Sequence, residues 1–164
     1  MGKRRKAREY ALQILFQLEF NASDSELLMR RFWSFQKTVP EVKDYSNWLV
    51  EGIRAHENDV DQVIQTASEN WRISRMAVVD RNILRIAVFE LLHEKTLVPA
   101  IVINEALEIA KKYSGEDASV FINGILDAIR KTIASGKASV ADNPAEGTQK
   151  ETHGRKKSSA KSGA

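Results

Sequence analysis

The sequence predicts an all-α fold, and three observations carry that prediction. Apolar residues recur at the three- and four-residue spacing of helices, and no stretch alternates as a half-buried strand would. Only three prolines occur, at 40, 99 and 144, so long stretches lack the strongest helix breaker. Hydrophobic residues make up 43% of 164, enough for a real core in a chain whose length argues for one domain.

The first helix is expected over about 5–21, with Tyr10, Ala11, Ile14, Leu15 and Leu18 as its core stripe. Ser23 or Asp24 suits the N-cap of a second helix holding Leu27, Leu28, Arg31, Phe32 and Phe35. Pro40 then precedes one long helical stretch, about 41–69, carrying Val42, Tyr45, Trp48, Leu49, Gly52, Ile53, Val60, Val63 and Ile64. Trp71 falls in a break. The next helix, about 75–94, is apolar over much of its circumference, which marks a central helix. Its Asp80, Arg81 and Arg85 are expected on a polar side. Pro99 fits the first turn of a helix over 99–113, and Gly115 fits its C-terminal stop. Asp117 fits the N-cap of the last helix, 118–134, where Gly124 implies close helix packing at a propensity cost of about 1 kcal/mol. The helical domain is thus placed at 1–134. Residues 135–164 are rich in Ala, Ser, Gly, Lys and Thr and are expected to be a disordered basic tail.

Composition narrows the function. There is no cysteine, which excludes a disulfide scaffold, a thiolate metal site and a cysteine nucleophile. No run approaches the ~20 apolar residues of a membrane span. The basic N-terminus leads into an amphipathic pattern rather than an apolar signal core, so a cytoplasmic location without membrane association is expected. His56, His93 and His153 stand apart, and metalloprotease, phosphate-loop, nucleophile-elbow and dinucleotide motifs are missing. His56 with Asp59 reads as a polar helix face. The reading is therefore of a protein that binds rather than catalyses, with no cofactor and no metal.

The net charge of +3 conceals an uneven distribution: +5 over residues 1–8, +3 over 136–164 and −5 between them. Basic ends on an acidic body suggest an anionic partner, with solubility of the termini as the plain alternative. The run Lys3, Arg4, Arg5, Lys6, Arg8 is the sharpest feature. Wound at 100° per residue, Arg5, Leu12 and Phe16 share a face roughly opposite Tyr10, Ile14 and Leu18. A cation beside an aromatic ring suits phosphate contact and base stacking. The alternative is that Leu12, Phe16 and Phe20 pack on another helix. Further along, Phe121 edges the core stripe of the last helix. Asn123 flanks that stripe and suits either backbone bridging or base reading.

Three segments together resemble the NusB family of transcription antitermination factors. They are RRKAREYALQILFQLEF near the start, VVDRNILRIAVFELL in the middle and VPAIVINEALEIAKKYSGEDASVFINGILDAIRK near the end. The likeness covers about residues 3–134. It implies two helical subdomains, each built on a three-helix bundle. It also implies binding of single-stranded boxA RNA of ribosomal RNA leader transcripts, shared with the ribosomal protein NusE as a heterodimer and delivered to an RNA polymerase antitermination complex. On that template Lys3, Arg4, Arg5, Lys6 and Arg8 look like the RNA-binding basic segment. Phe16 matches an aromatic position near RNA, Asp117, Phe121 and Asn123 match the RNA-side start of the last helix, and Asp80 matches an acidic position at the partner-protein interface. Two rivals remain: a helical protein-binding adaptor, and a relative of the similar domain that precedes some RNA cytosine methyltransferases. The second predicts a catalytic cysteine, which this sequence lacks.

Overall fold

The computed structural model describes residues 2–21 and 23–136. Within them lie seven α-helices and no strand: α1 (Lys3–Phe20), α2 (Ser25–Phe35), α3 (Pro40–Ala55), α4 (Glu57–Ala67), α5 (Val78–His93), α6 (Pro99–Tyr113) and α7 (Glu116–Ala134). The tail expected over 135–164 lies outside the described residues from 137 onward.

Local chemistry sets most boundaries. The Asp24 carboxylate accepts the Leu27 N–H at 3.0 Å and caps α2. Pro40 and Pro99 open α3 and α6, where a missing N–H costs nothing. Gly115 closes α6, its N–H donating to the Ala110 carbonyl at 2.8 Å. It holds φ at +121°, which only glycine adopts without strain, and turns the chain into α7.

Three expectations need correction. The stretch 41–69 is two helices joined at His56, whose N–H bonds the Gly52 carbonyl and whose carbonyl accepts from Val60, both at 3.0 Å. The bend lets α3 pack on α1 while α4 packs on α5 and α7. Asp117 is not the N-cap of α7; Gly115 is, and Asp117 sits in the first turn, where a carboxylate complements the helix dipole. Leu12 is buried, in keeping with the alternative that it packs on another helix. Finally, the closely packed mid-helix glycine is Gly52, where a Cβ would come within 2.1 Å of the Phe89 ring, whereas Gly124 has nothing within 4 Å.

Helices α1–α3 form the N-terminal subdomain. Tyr10, Phe32 and Trp33 meet edge-to-face at its centre, with centroids 4.9–5.8 Å apart. Helices α5, α6 and α7 pack mutually as the second bundle, with α4 against α5 and α7. Helix α5 joins the two. As its near-continuous apolar surface predicts, it is buried from Asn82 to Leu92 and touches α1, α3, α4, α6 and α7. Its expected polar side is also buried at Arg85, which pairs with Glu19 and Asp61 at 2.7 and 2.8 Å.

Candidate nucleic-acid interface

Helix α1 is laid down by ion pairs as much as by its apolar stripe. Each base of its first two turns meets a carboxylate: Lys3 with Glu41, Arg4 with Glu94, Arg5 with Glu105, Lys6 with Glu9 and Arg8 with Glu90. Three of these five acids lie on other helices, and Glu94 is the residue that caps the end of α5. The order of the pairs orients the fold. Arg4–Glu94, Arg8–Glu90 and Glu19–Arg81 make α5 antiparallel to α1, and Arg5–Glu105 with Glu9–Lys112 make α6 parallel to it.

These pairs differ greatly in burial, and that decides what the bases are free to do. Arg8 is 4% exposed, and its Nε and Nη2 donate to the two Glu90 oxygens at 2.6 and 2.8 Å. The Tyr45 hydroxyl donates to the same carboxylate at 2.7 Å. Burial works against the Arg8 cation, but hydrogen bonding to Glu90 and its charge prevail and hold the guanidinium above its ordinary pKa. Burial and the adjacent Glu90 charge likewise push the Tyr45 hydroxyl up. The expectation that Arg8 offers a free guanidinium to phosphate is thus corrected: it is a core residue. Arg5 spends Nε and Nη2 on Glu105 at 2.6 and 2.8 Å, and this bidentate bond holds the Glu105 carboxyl below the usual carboxylate range.

Lys3 and Lys6 are otherwise placed. Lys3 meets Glu41 at 2.8 Å with both side chains mostly in solvent, and Lys6 stands 3.8 Å from Glu9. An exposed pair such as Lys3–Glu41 is worth about 0–1 kcal/mol, so a phosphate can replace its carboxylate, whereas Lys6 is half-exposed beside a buried Glu9 that Lys112 also bonds at 2.9 Å. Arg4 lies between these cases, its guanidinium 4.1 Å from the centre of the Tyr45 ring and 3.3 Å from Glu94. At 100° per residue Lys3, Lys6, Gln13, Phe16, Gln17 and Phe20 lie within one sector of α1 about 140° wide, but Glu9 and Tyr10 in the same sector are buried, so its exposed surface is two patches, one at Lys3 and Lys6 and one at Phe16, Gln17 and Phe20. Phe16 is 40% and Phe20 70% exposed, and their rings meet at 5.1 Å. The alternative that both rings are packed under another helix is set aside by that exposure.

The remaining candidate residues gather at the other end of α1. Because α6 runs parallel to α1, the turn into α7 lies beyond the level of Glu9 and close to the start of α5. The Ser114 hydroxyl donates to Asp80 at 2.6 Å and holds that turn in place. Nearby, Arg81 and Arg85 both bond Glu19, and they hold its carboxyl well down, at about 2. Asp117 and Asn123 are exposed on α7 and make no side-chain hydrogen bond among the described residues. Phe121 is half-buried with its ring 6.0 Å from Trp71, edge to face. The candidate residues therefore fall into two groups about 20 Å apart along α1: Lys3, Arg4 and Lys6, then Phe16 with the start of α7.

Sequence reasoning missed the carboxylates that meet the basic run, which stand as far as 100 positions away. The signal was present in the charge arithmetic, since the body carries −5 against the +5 of residues 1–8. It also missed Phe20 and Trp71 as exposed rings. Among the described residues no His, Asp or Glu cluster could hold a metal ion, and no helix is long and apolar enough to cross a membrane.

Comparison with known proteins adds a second line. A sequence model of the NusB family matches residues 5–131. The transcription antitermination protein NusB of Anaeromyxobacter dehalogenans (strain 2CP-1) is 48% identical over 130 residues, spanning 78% of this chain and 90% of that protein. A structure of T. maritima NusB superimposes with a TM-score of 0.71 at 36% identity, covering 78% of this chain and 90% of that one. A structure of the antitermination factors NusB and NusE in complex with double-stranded RNA contains a chain similar to this one, with TM-score 0.73 and 28% identity, covering 80% and 98%.

Proposed function

The chain belongs to the NusB family, and we propose that it works as a transcription antitermination factor by recognition, without catalysis. It binds the boxA element of ribosomal RNA leader transcripts as a single strand, shares that RNA with the ribosomal protein NusE, and joins an RNA polymerase antitermination complex in the cytoplasm. The observation that carries the reading is the pair of exposed patches at the two ends of α1, cationic at Lys3 and Lys6 and aromatic at Phe16 and Phe20. Support for RNA and NusE as partners comes from the similarity to a chain in a crystal structure of NusB and NusE with double-stranded RNA.

The geometry supports the following roles. Lys3, Arg4 and Lys6 meet phosphates and set the orientation of the strand. Phe16 offers a stacking face to an unpaired base, with Phe121 supplying apolar contact. The start of α7 carries Glu116 and Asp117, so phosphate is repelled there. Asp117 and Asn123 therefore meet base edges, where their acceptors and amide read sequence. Arg5 and Arg8 act as positioning residues that fix α1 on α5 and α6. Asp80, tied to Ser114, shapes the surface offered to the partner protein.

The test is equilibrium binding to a boxA-type single strand and to a scrambled strand, at two salt concentrations, with and without NusE. Preference for boxA that NusE strengthens is expected. Sequence-blind binding that collapses with salt, with no effect of NusE, would leave only a basic-armed adaptor.

A further inference from the structure

Beside the basic end of α1 lies an open groove whose aromatic wall and carboxylates the roles above leave unused. It has a volume of about 510 Å³, within the range of ligand pockets, and is lined by Lys3, Arg4, Glu41, Asp44, Tyr45 and Trp48. Its wall is aromatic and fixed. Trp48 packs on Tyr45 with centroids 5.4 Å apart and on Phe89 at 4.8 Å. Tyr45 is itself held by its hydroxyl on Glu90 and by the Arg4 guanidinium over its ring. Trp48 nevertheless remains 37% exposed. A ring this firmly propped loses little freedom when something stacks on it, which favours binding.

The charge of the groove narrows the occupant. Lys3 and Arg4 are balanced by Glu41 and Asp44, so the floor suits a neutral group rather than a phosphate. The two carboxylates are acceptors, and they favour a flat ring whose edge carries N–H donors. The groove opens beside Lys3, in the cationic patch of α1, so the same strand reaches both.

We propose that this groove takes one unpaired nucleobase of the bound RNA, stacked on Trp48 with its donor edge toward Asp44 and Glu41. Guanine fits best, because its ring N–H and amino group lie side by side. The proposal rests on the RNA-binding reading above and adds a base-selective contact at the phosphate-binding end of α1. In accepting the base, Glu41 releases Lys3 to the backbone of the same strand.

The test uses the full chain and a boxA-type strand in which each guanosine is replaced in turn by inosine, which lacks the amino group. Trp48→Ala should weaken binding of the unmodified strand about 5- to 150-fold, with an unchanged slope against salt because no phosphate contact is lost. Wild type should lose affinity on inosine substitution at one position, and Asp44→Asn should erase that difference. Asp44 is exposed and makes no side-chain bond among the described residues, so the second arm stands even if Trp48→Ala disturbs Phe89. Wild-type affinity in Trp48→Ala, or the same inosine profile in Asp44→Asn, would overturn the proposal while leaving boxA preference in wild type intact. Failure of wild type to bind either the boxA or the scrambled strand would overturn the RNA-binding reading as well.

Discussion

Helices α1 and α7 both look like RNA-contacting elements in sequence, yet the fold treats them in opposite ways. In α1 the conspicuous charges are largely spent inside the protein: Arg8 is buried on Glu90 and Arg5 is clamped by Glu105. In α7 the polar residues Asp117 and Asn123 stand exposed with no side-chain partner among the described residues. A dense basic run thus combines tethers with ligand contacts, and the distant carboxylates decide which residue does which.

The largest effect expected from that difference is on stability. Arg8→Ala leaves the Glu90 carboxylate buried without its cation and should cost about 3–5 kcal/mol in chemical denaturation. Wild-type stability with lost RNA affinity would make Arg8 a contact and break the comparison. A second tether holds the far end of α1. Glu19 sits at about 2 against an ordinary 4.5, so its stabilisation is complete above about pH 4.5 and is lost as pH falls toward 2. Urea denaturation across that window should show a steeper acid loss for wild type than for Glu19→Gln; equal profiles would remove Glu19 from the account.

Smaller effects belong to binding. Phe16→Ala should weaken RNA binding by about 1–3 kcal/mol while thermal unfolding stays nearly unchanged, since the ring is 40% exposed. Unaltered affinity would return Phe16 to a packing role. Asn123→Ala should shift stability by less than about 0.5 kcal/mol and narrow the affinity gap between boxA and scrambled strands. An unchanged gap would deprive α7 of its reading role.

Elements governed by local rules were legible in the sequence. The prolines opening α3 and α6, the Asp24 cap, the glycine turn after α6 and the all-round burial of α5 follow from nearby residues. What escaped depends on tertiary pairing. Helical winding alone put Arg5, Leu12 and Phe16 on one open face, but α6 and α5 cover Arg5 and Arg8, and only Phe16 stays outside. Likewise the length of the stretch 41–69 concealed the bend at His56, which exists because α3 and α4 serve different bundles. Gly124 was read as a packing site when Gly52 is the one pressed against Phe89. A mid-helix glycine does not say from sequence what approaches it.

The most direct test of this division of labour is the salt dependence of boxA-type RNA binding. It would be measured for wild type, for Lys3→Ala with Lys6→Ala, and for the charge-neutral pair Arg5→Ala with Glu105→Ala. The account predicts that losing the two lysines lowers the slope by about 1.4, at about 0.7 per phosphate on a single strand. Removing the Arg5–Glu105 pair should leave the slope as it is and lower the thermal midpoint. A slope that falls with Arg5 and Glu105 but holds without the lysines would contradict it.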